Sequence, residues 1–399
     1  LACQYLHGEK VELAEKIAKS MEKLFGLKGR VHFNVGGSQA VEDSLKIVRN
    51  HTGKNLVFAF MGGYHGRTLG ASAITSSYRY RRRYGHFSDR AHFVPYPYCY
   101  RCPYDKKYPD CNMYCVKQFE KLFETEYNGV LDTKKGESEF GAFYVESIQG
   151  TGGYVIPPKE YFPMLRKILE RFKILLVDDE IQMGFHRAGK LWGLAEFGVK
   201  PDIIVFGKAL TNGLNPLSGI WAREELIHPG VFPAGSTHST FSSNTLGTAV
   251  GLEVMKMLEE TDTEKLVKEK GKKFLSRLKA LQKRHPKVIG DVDGKGLALR
   301  MEICDPRDGY TPDRKLADRI FHEGMKGGIK TSQGTYGLVL DVGGYYKNVF
   351  TLAPSFGITE REMDLAVELL DILIRKCTRL SSPRAHFSDT RVSPPRKST

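Results

Sequence analysis

Short apolar runs rich in β-branched and aromatic residues recur at 31–33, 56–60, 142–145, 174–177, 203–206 and 217–221, and helical patterns such as Ala40 to Asn50 and Tyr161 to Arg171 lie between several of them. This alternation constrains the fold more than any other feature of the sequence. Strands separated by helices predict a mostly parallel sheet with helices on both faces, an α/β architecture. A helix comes first, with Val11, Leu13, Ala14, Ile17, Ala18, Met21 and Leu24 at helical spacing and Gly26 and Gly29 closing it. The pattern changes after residue 252, with one long charged helix expected over Glu253 to Arg284 and a strand-like run over Leu297 to Ile303. The last helix carries a capping box, Thr359 and Glu362, and an apolar stripe of Leu365, Leu369, Leu370 and Leu373. The expected division is a large domain over 1–252, a smaller C-terminal α/β domain over 253–378, and a disordered tail over 379–399 that is rich in Ser, Pro and Arg. At 399 residues the chain exceeds what one hydrophobic core supports.

The composition excludes some classes of function. No apolar run approaches the roughly 18 to 20 residues of a membrane helix, so no membrane partner is expected. The formal charge of +14 raises nucleic acid as a partner, but the Lys and Arg residues are spread over helices rather than gathered in a binding module. The densest cluster, Arg79 to Tyr84, reads as a solvated or subunit-facing surface, and the net charge as an aid to holding anionic substrates. Leu1 to Gly29 is Glu/Lys-rich and amphipathic, unlike a signal peptide, so a cytoplasmic location is expected. The chain starts at Leu1 without a methionine, which leaves room for an earlier segment.

Four elements carry chemistry. The run 203–206 leads into Gly207 and Lys208, which puts an amine at the carboxyl end of a parallel strand, where open α/β sheets place ligands. A partly desolvated lysine there has the lowered pKa that Schiff-base chemistry needs, although such a lysine can equally be a plain surface residue. The run 174–177 leads into Asp178-Asp179-Glu180-Ile181-Gln182. A carboxylate there can pair with a protonated pyridine nitrogen, and the amide can bond a ring hydroxyl. Gly36-Gly37-Ser38 stands between a strand and a helix, where backbone N–H groups suit a phosphate. Finally, Tyr64-His65-Gly66 places an aromatic and a histidine among glycines after the strand 56–60, suited to stacking on a flat ring.

Together these elements resemble the class III (fold-type I, subgroup II) pyridoxal-phosphate-dependent aminotransferases, from about Val11 to Arg375. The family's phosphate loop matches Gly36 to Glu42, its aromatic-His-Gly ring cover matches 64–66, and its Asp-Glu-Val-Gln element matches 179–182. The resemblance thus selects Asp179 over Asp178 for the pyridine nitrogen, Gln182 for the ring oxygen and Lys208 as cofactor anchor and catalytic base. Thr240, in Thr240-Phe-Ser-Ser-Asn244, matches a threonine that reaches the cofactor phosphate of the neighbouring subunit, so a homodimer is implied. Glu146, in Glu146-Ser-Ile-Gln-Gly150, matches an element beside the ring. The fold implied is the type I transferase fold. The activity implied is transfer of an amino group between an amino acid or amine and an oxo acid, with pyridoxal 5'-phosphate as cofactor.

Two departures bear on the substrate. Glutamate-using members carry an arginine for a substrate carboxylate where this chain has Thr351, and its gating glutamate where this chain has Thr151. Without that arginine, 2-oxoglutarate is expected to be a poor acceptor. Members lacking it include amino-acid racemases and epimerases, which stand as the alternative on the same scaffold. A non-enzymatic basic binding protein is a third reading, disfavoured by an intact Lys208, Asp179 and Gln182. Separately, Cys99, Cys102, Cys111 and Cys115 have spacing that suits a structural metal, with inert reduced thiols as the plainer reading.

Overall fold

The structure is a computed structural model that describes residues 5–84 and 91–379. Seven strands form the main sheet: β1 (Gly29–Asn34), β2 (Leu56–Phe60), β3 (His92–Val94), β4 (Phe140–Val145), β5 (Leu175–Asp179), β6 (Ile203–Phe206) and β7 (Ser218–Arg223), in the spatial order β1-β7-β6-β5-β4-β2-β3. The pairs from β3 through β6 are parallel, while β7 runs antiparallel to both β6 and β1. Two reversals restore direction, so β1 points the same way as β6. The carboxyl ends of β1, β2, β4, β5 and β6 therefore share one edge of the sheet.

Side-chain alternation explains why this sheet sits at the centre. Ile203 and Val205 of β6 pack with Ala40, Val41 and Val48 of α2 (Gly37–Thr52). On the opposite face Ile204 and Phe206 meet Leu13, Ile17 and Met21 of α1 (Gly8–Phe25) together with Trp192 and Trp221. Full burial of each such aliphatic side chain contributes about 1.5 to 3 kcal/mol. A strand buried on both faces reads as a continuous apolar run, which is why 203–206 was legible in the sequence. The edge strand β3, three residues long, gave no comparable run.

The helices after the sheet correct one expectation. The single helix expected over Glu253 to Arg284 is two, α3 (Thr245–Glu260) and α4 (Thr263–Arg284). Asp262 starts the second by accepting from the Lys265 amide at 3.2 Å. Leu252 and Met255 of α3 pack with Leu13, Ile17 and Met21 of α1. Beyond α3, the helices α4, α5 (Arg314–Lys326) and α6 (Glu360–Arg379) pack on an antiparallel sheet of order β8-β9-β11-β10. Its strands are β8 (Ile289–Lys295), β9 (Ala298–Ile303), β10 (Asp341–Gly343) and β11 (Val349–Leu352). The expected capping box is formed reciprocally. Glu362 Oε2 accepts from the Thr359 amide at 2.7 Å, and the Glu362 amide donates to Thr359 Oγ1 at 3.2 Å. Arg379 ends α6, and the tail expected beyond it lies outside the described residues. No helix among the described residues is long and apolar enough to cross a membrane.

Candidate active site

The shared edge of the sheet gathers the sequence candidates. Asp179 closes β5 and is 4 % exposed. Its Oδ2 accepts from His65 Nδ1 at 2.8 Å and its Oδ1 from the Ile181 amide at 3.1 Å. Burial alone lowers the pKa of His65, but the hydrogen bond and charge of Asp179, with Glu146 beyond, outweigh it and raise the net value. Asp178, one residue back, points to the other face of the sheet and is fully buried. Burial, then the Glu180 carboxylate beside it, raise the Asp178 pKa well above its ordinary value. The structure thus separates the two adjacent aspartates physically.

The glycine-rich loop 62–67 is fastened at several points. The Gly62 amide donates to Ser76 Oγ at 2.9 Å, the His65 amide to Thr75 Oγ1 at 3.0 Å and the Arg67 amide to Ser38 Oγ at 3.2 Å. Glu146 receives the Tyr64 and Gly150 amides at 3.0 and 2.9 Å. Burial pushes its carboxyl up to about 7, against the lowering effect of His65. Tyr64 packs edge-on against Tyr80, 5.2 Å between ring centroids, and the Arg67 guanidinium lies 4.6 Å from the Tyr80 ring centre.

Gly36 caps α2 without any side-chain hydrogen bond, leaving the helix N-terminus open beside Gly37 and Ser38. Gln182 donates to the Tyr154 hydroxyl at 2.8 Å. Two glycines keep the cradle clear. A Cβ on Gly66, whose φ is +133°, would stand 2.3 Å from Ser38 Oγ, and one on Gly150 would stand 2.2 Å from Gln182 Oε1. Lys208 follows β6 with φ 43° and its side chain is exposed at this edge. Thr240 lies on an exposed turn before α3, at a distance in sequence from the rest.

The missing carboxylate clamp has a structural counterpart. Thr351 pairs across the strands with Asp341, and its hydroxyl donates to the Asp341 carboxylate. Arg187 is engaged elsewhere, donating to the Pro354 and Leu297 carbonyls at 2.7 and 3.3 Å and packing on Phe356. Sequence reasoning missed Tyr154 and Tyr345, which reach the site from glycine-rich turns. The Gly-Gly-aromatic pattern they share with Gly62-Gly63-Tyr64 was the available signal.

The four cysteines line one cavity of about 20 Å³ together with Tyr98 and Met113. Desolvation and then the neighbouring thiols push Cys99 up to about 12. Among the described residues, however, no three His, Cys, Asp or Glu side chains stand so as to hold a metal ion.

This arrangement, with an amine, a buried carboxylate, a histidine and an open helix terminus on one edge of an α/β sheet, defines a cofactor-dependent enzyme of the transaminase fold. The chain matches the aminotransferase class-III family over residues 3–374 and belongs to it. It is 33 % identical over 375 residues to a leucine/methionine racemase of Thermococcus litoralis, covering 92 % of this chain and 78 % of that protein. It is 31 % identical over 334 residues to a diaminobutyrate–2-oxoglutarate aminotransferase of Haemophilus influenzae, covering 82 % and 69 %. Among solved structures it resembles an amine transaminase from an uncultivated Pseudomonas species in its PLP-bound form, with TM-score 0.81, 27 % identity and coverage of 94 % and 82 %.

Proposed function

We propose that this enzyme is a pyridoxal 5'-phosphate-dependent aminotransferase, with Lys208 as cofactor anchor and base, acting on an amino acid or amine and an oxo acid without a distal carboxylate. The observation that carries the reading is the Asp179 carboxylate, buried and held by His65, on the same sheet edge as the exposed Lys208 amine. The residues present fit the cofactor. The uncapped start of α2 suits a phosphate, Asp179 suits a protonated pyridine nitrogen, and the glycines at 66 and 150 keep open a cradle that a Cβ would fill. When bound, pyridoxal 5'-phosphate supplies an electron sink for the carbon that loses its proton. His65 keeps Asp179 oriented, Tyr64 would cover the ring, and Lys208 would accept the substrate's α-proton and return it. The free thiols among the described cysteines suit a reducing, cytoplasmic setting.

Amino-acid racemisation is the second reading, favoured by the engagement of Thr351 with Asp341 and by the absence of an arginine at that position. Chirality at the α-carbon separates the two. Purified protein loaded with the cofactor and given a panel of L- and D-amino acids with pyruvate or 2-oxoglutarate is expected to produce new amino and oxo acids. Loss of chirality without oxo-acid formation selects the racemase. Lys208→Ala is expected to abolish both while the chain stays folded, and retained turnover in that variant overturns the assignment.

A further inference from the structure

The turn 344–348 joins β10 to β11 and carries a contact from the small domain into the site. It is pinned at both ends. The Gly344 amide donates to the Thr151 carbonyl at 3.1 Å. The fully buried Asn348 donates to Glu302 Oε1 at 3.1 Å and to the Ile303 carbonyl at 2.7 Å. Glu302 is itself the hub of a buried network that includes Arg300, at 2.8 Å, and Tyr98 and Arg101 from the large domain.

Between these anchors, the Tyr345 hydroxyl lies 2.6 Å from the Met61 carbonyl and 2.8 Å from Gln149 Oε1. Gln149 is fully buried, and its Nε2 closes the triangle by donating to the same Met61 carbonyl at 2.7 Å. Met61 leads directly into the ring-cover loop. Gly62 is what admits the ring, because a Cβ there would stand 2.5 Å from Tyr345 Cζ and the residue has φ +79°. The tyrosine is still 40 % exposed, so the contact is open to solvent at one side. Burial pushes the phenol's pKa upward, which keeps its proton available for donation.

We propose that Tyr345 is a positioning residue of the active site, its hydroxyl clasping Gln149 and the Met61 carbonyl so that the small domain sets the start of the 62–66 cover. The clasp makes the cover depend on how the two domains are docked. It rests on the reading of residues 62–66 as a cofactor cover.

Tyr345→Phe keeps the ring and removes only the hydroxyl. In the cofactor-free chain, amide hydrogen exchange at 62–66 is expected to accelerate about five- to tenfold, the factor carried by one hydrogen bond of ordinary net strength. Release of pyridoxal 5'-phosphate from the loaded chain is expected to quicken similarly, and kcat to fall with KM little changed. Tyr345→Ala, carried alongside, is expected to match the Phe variant in all three readouts. A Phe variant that exchanges and releases cofactor like the wild type, with only the Ala variant impaired, overturns the clasp in favour of simple ring packing. Faster exchange with unchanged cofactor release overturns the positioning role. A wild-type chain that takes up no pyridoxal 5'-phosphate overturns the site reading beneath both.

Discussion

At the scale of single residues, strand parity gives the two adjacent aspartates different chemistry. Asp179 faces the site edge with His65 against it, whereas Asp178 faces the other side of the sheet, its pKa raised by burial and then by Glu180. Asp179→Asn is therefore expected to slow proton removal by about 3 to 4 kcal/mol, the scale on which deletion of one preorganised electrostatic partner acts. Asp178→Asn changes a group on the opposite face of the sheet and is expected to change turnover by less than about tenfold. Single-turnover kinetics of the two variants on the same substrate checks the order. The sequence offered both acids at the end of one strand, and only the family resemblance chose between them. The geometric reason lay in the neighbour 114 positions away, which no local pattern reveals. Glu146 allows a test without substrate. Burial chiefly pushes its pKa up to about 7 from the ordinary glutamate value near 4.5. A raised acid contributes stability that is fully present below about pH 4.5 and is lost as pH rises through about 7. Denaturant titrations of the cofactor-free chain are expected to show Glu146→Gln gaining on the wild type across that window, by an amount on the order of 3 kcal/mol. A constant difference between the two proteins from pH 4.5 to 8 counts against it.

At the scale of elements, legibility followed burial. The strands with both faces covered, and α2 with its glycine-rich start, read correctly because each is a continuous apolar run or a periodic stripe. The break between α3 and α4 did not, because Thr261 and Asp262 carry neither glycine nor proline and the flanking charges continue unbroken. Its one signal was Asp262, a capping residue ahead of Thr263 and Glu264. The β10–β11 ladder was also hidden, and it matters for specificity. Its register sets Asp341 opposite Thr351, so an arginine introduced at 351 meets a carboxylate before it meets any substrate. Thr351→Arg alone is therefore expected to leave use of 2-oxoglutarate within about threefold of the wild type, its guanidinium being held by Asp341. Thr351→Arg combined with Asp341→Asn frees that group and is expected to raise kcat/KM for 2-oxoglutarate by about tenfold or more. Equal gains from the single and double variants rule out capture by Asp341.

At the scale of the whole molecule, exposed apolar side chains stand close in sequence to Lys208 and Thr240. Leu214 and Phe241, at 77 % and 70 % exposed, flank the turns that follow Lys208 and Thr240, and Leu246 at 62 % is the second residue of α3. Exposed apolar side chains can mark a surface that another chain covers, and the resemblance gives Thr240 a role at such a contact. A homodimer in which Thr240 serves the neighbour's phosphate makes a prediction that a self-contained subunit does not. Lys208→Ala and Thr240→Ala are each expected to be impaired as pure proteins, the second by about ten- to a hundredfold through loss of one hydrogen bond to a charged group. In a mixed dimer with one subunit of each kind, the site holding an intact Lys208 is completed by the other subunit's intact Thr240, while the second site loses both groups. Co-refolding the two variants is then expected to restore activity well above either parent, alongside a dimeric mass by light scattering. If Thr240 acts within its own subunit, every site in the mixture stays defective and no activity returns.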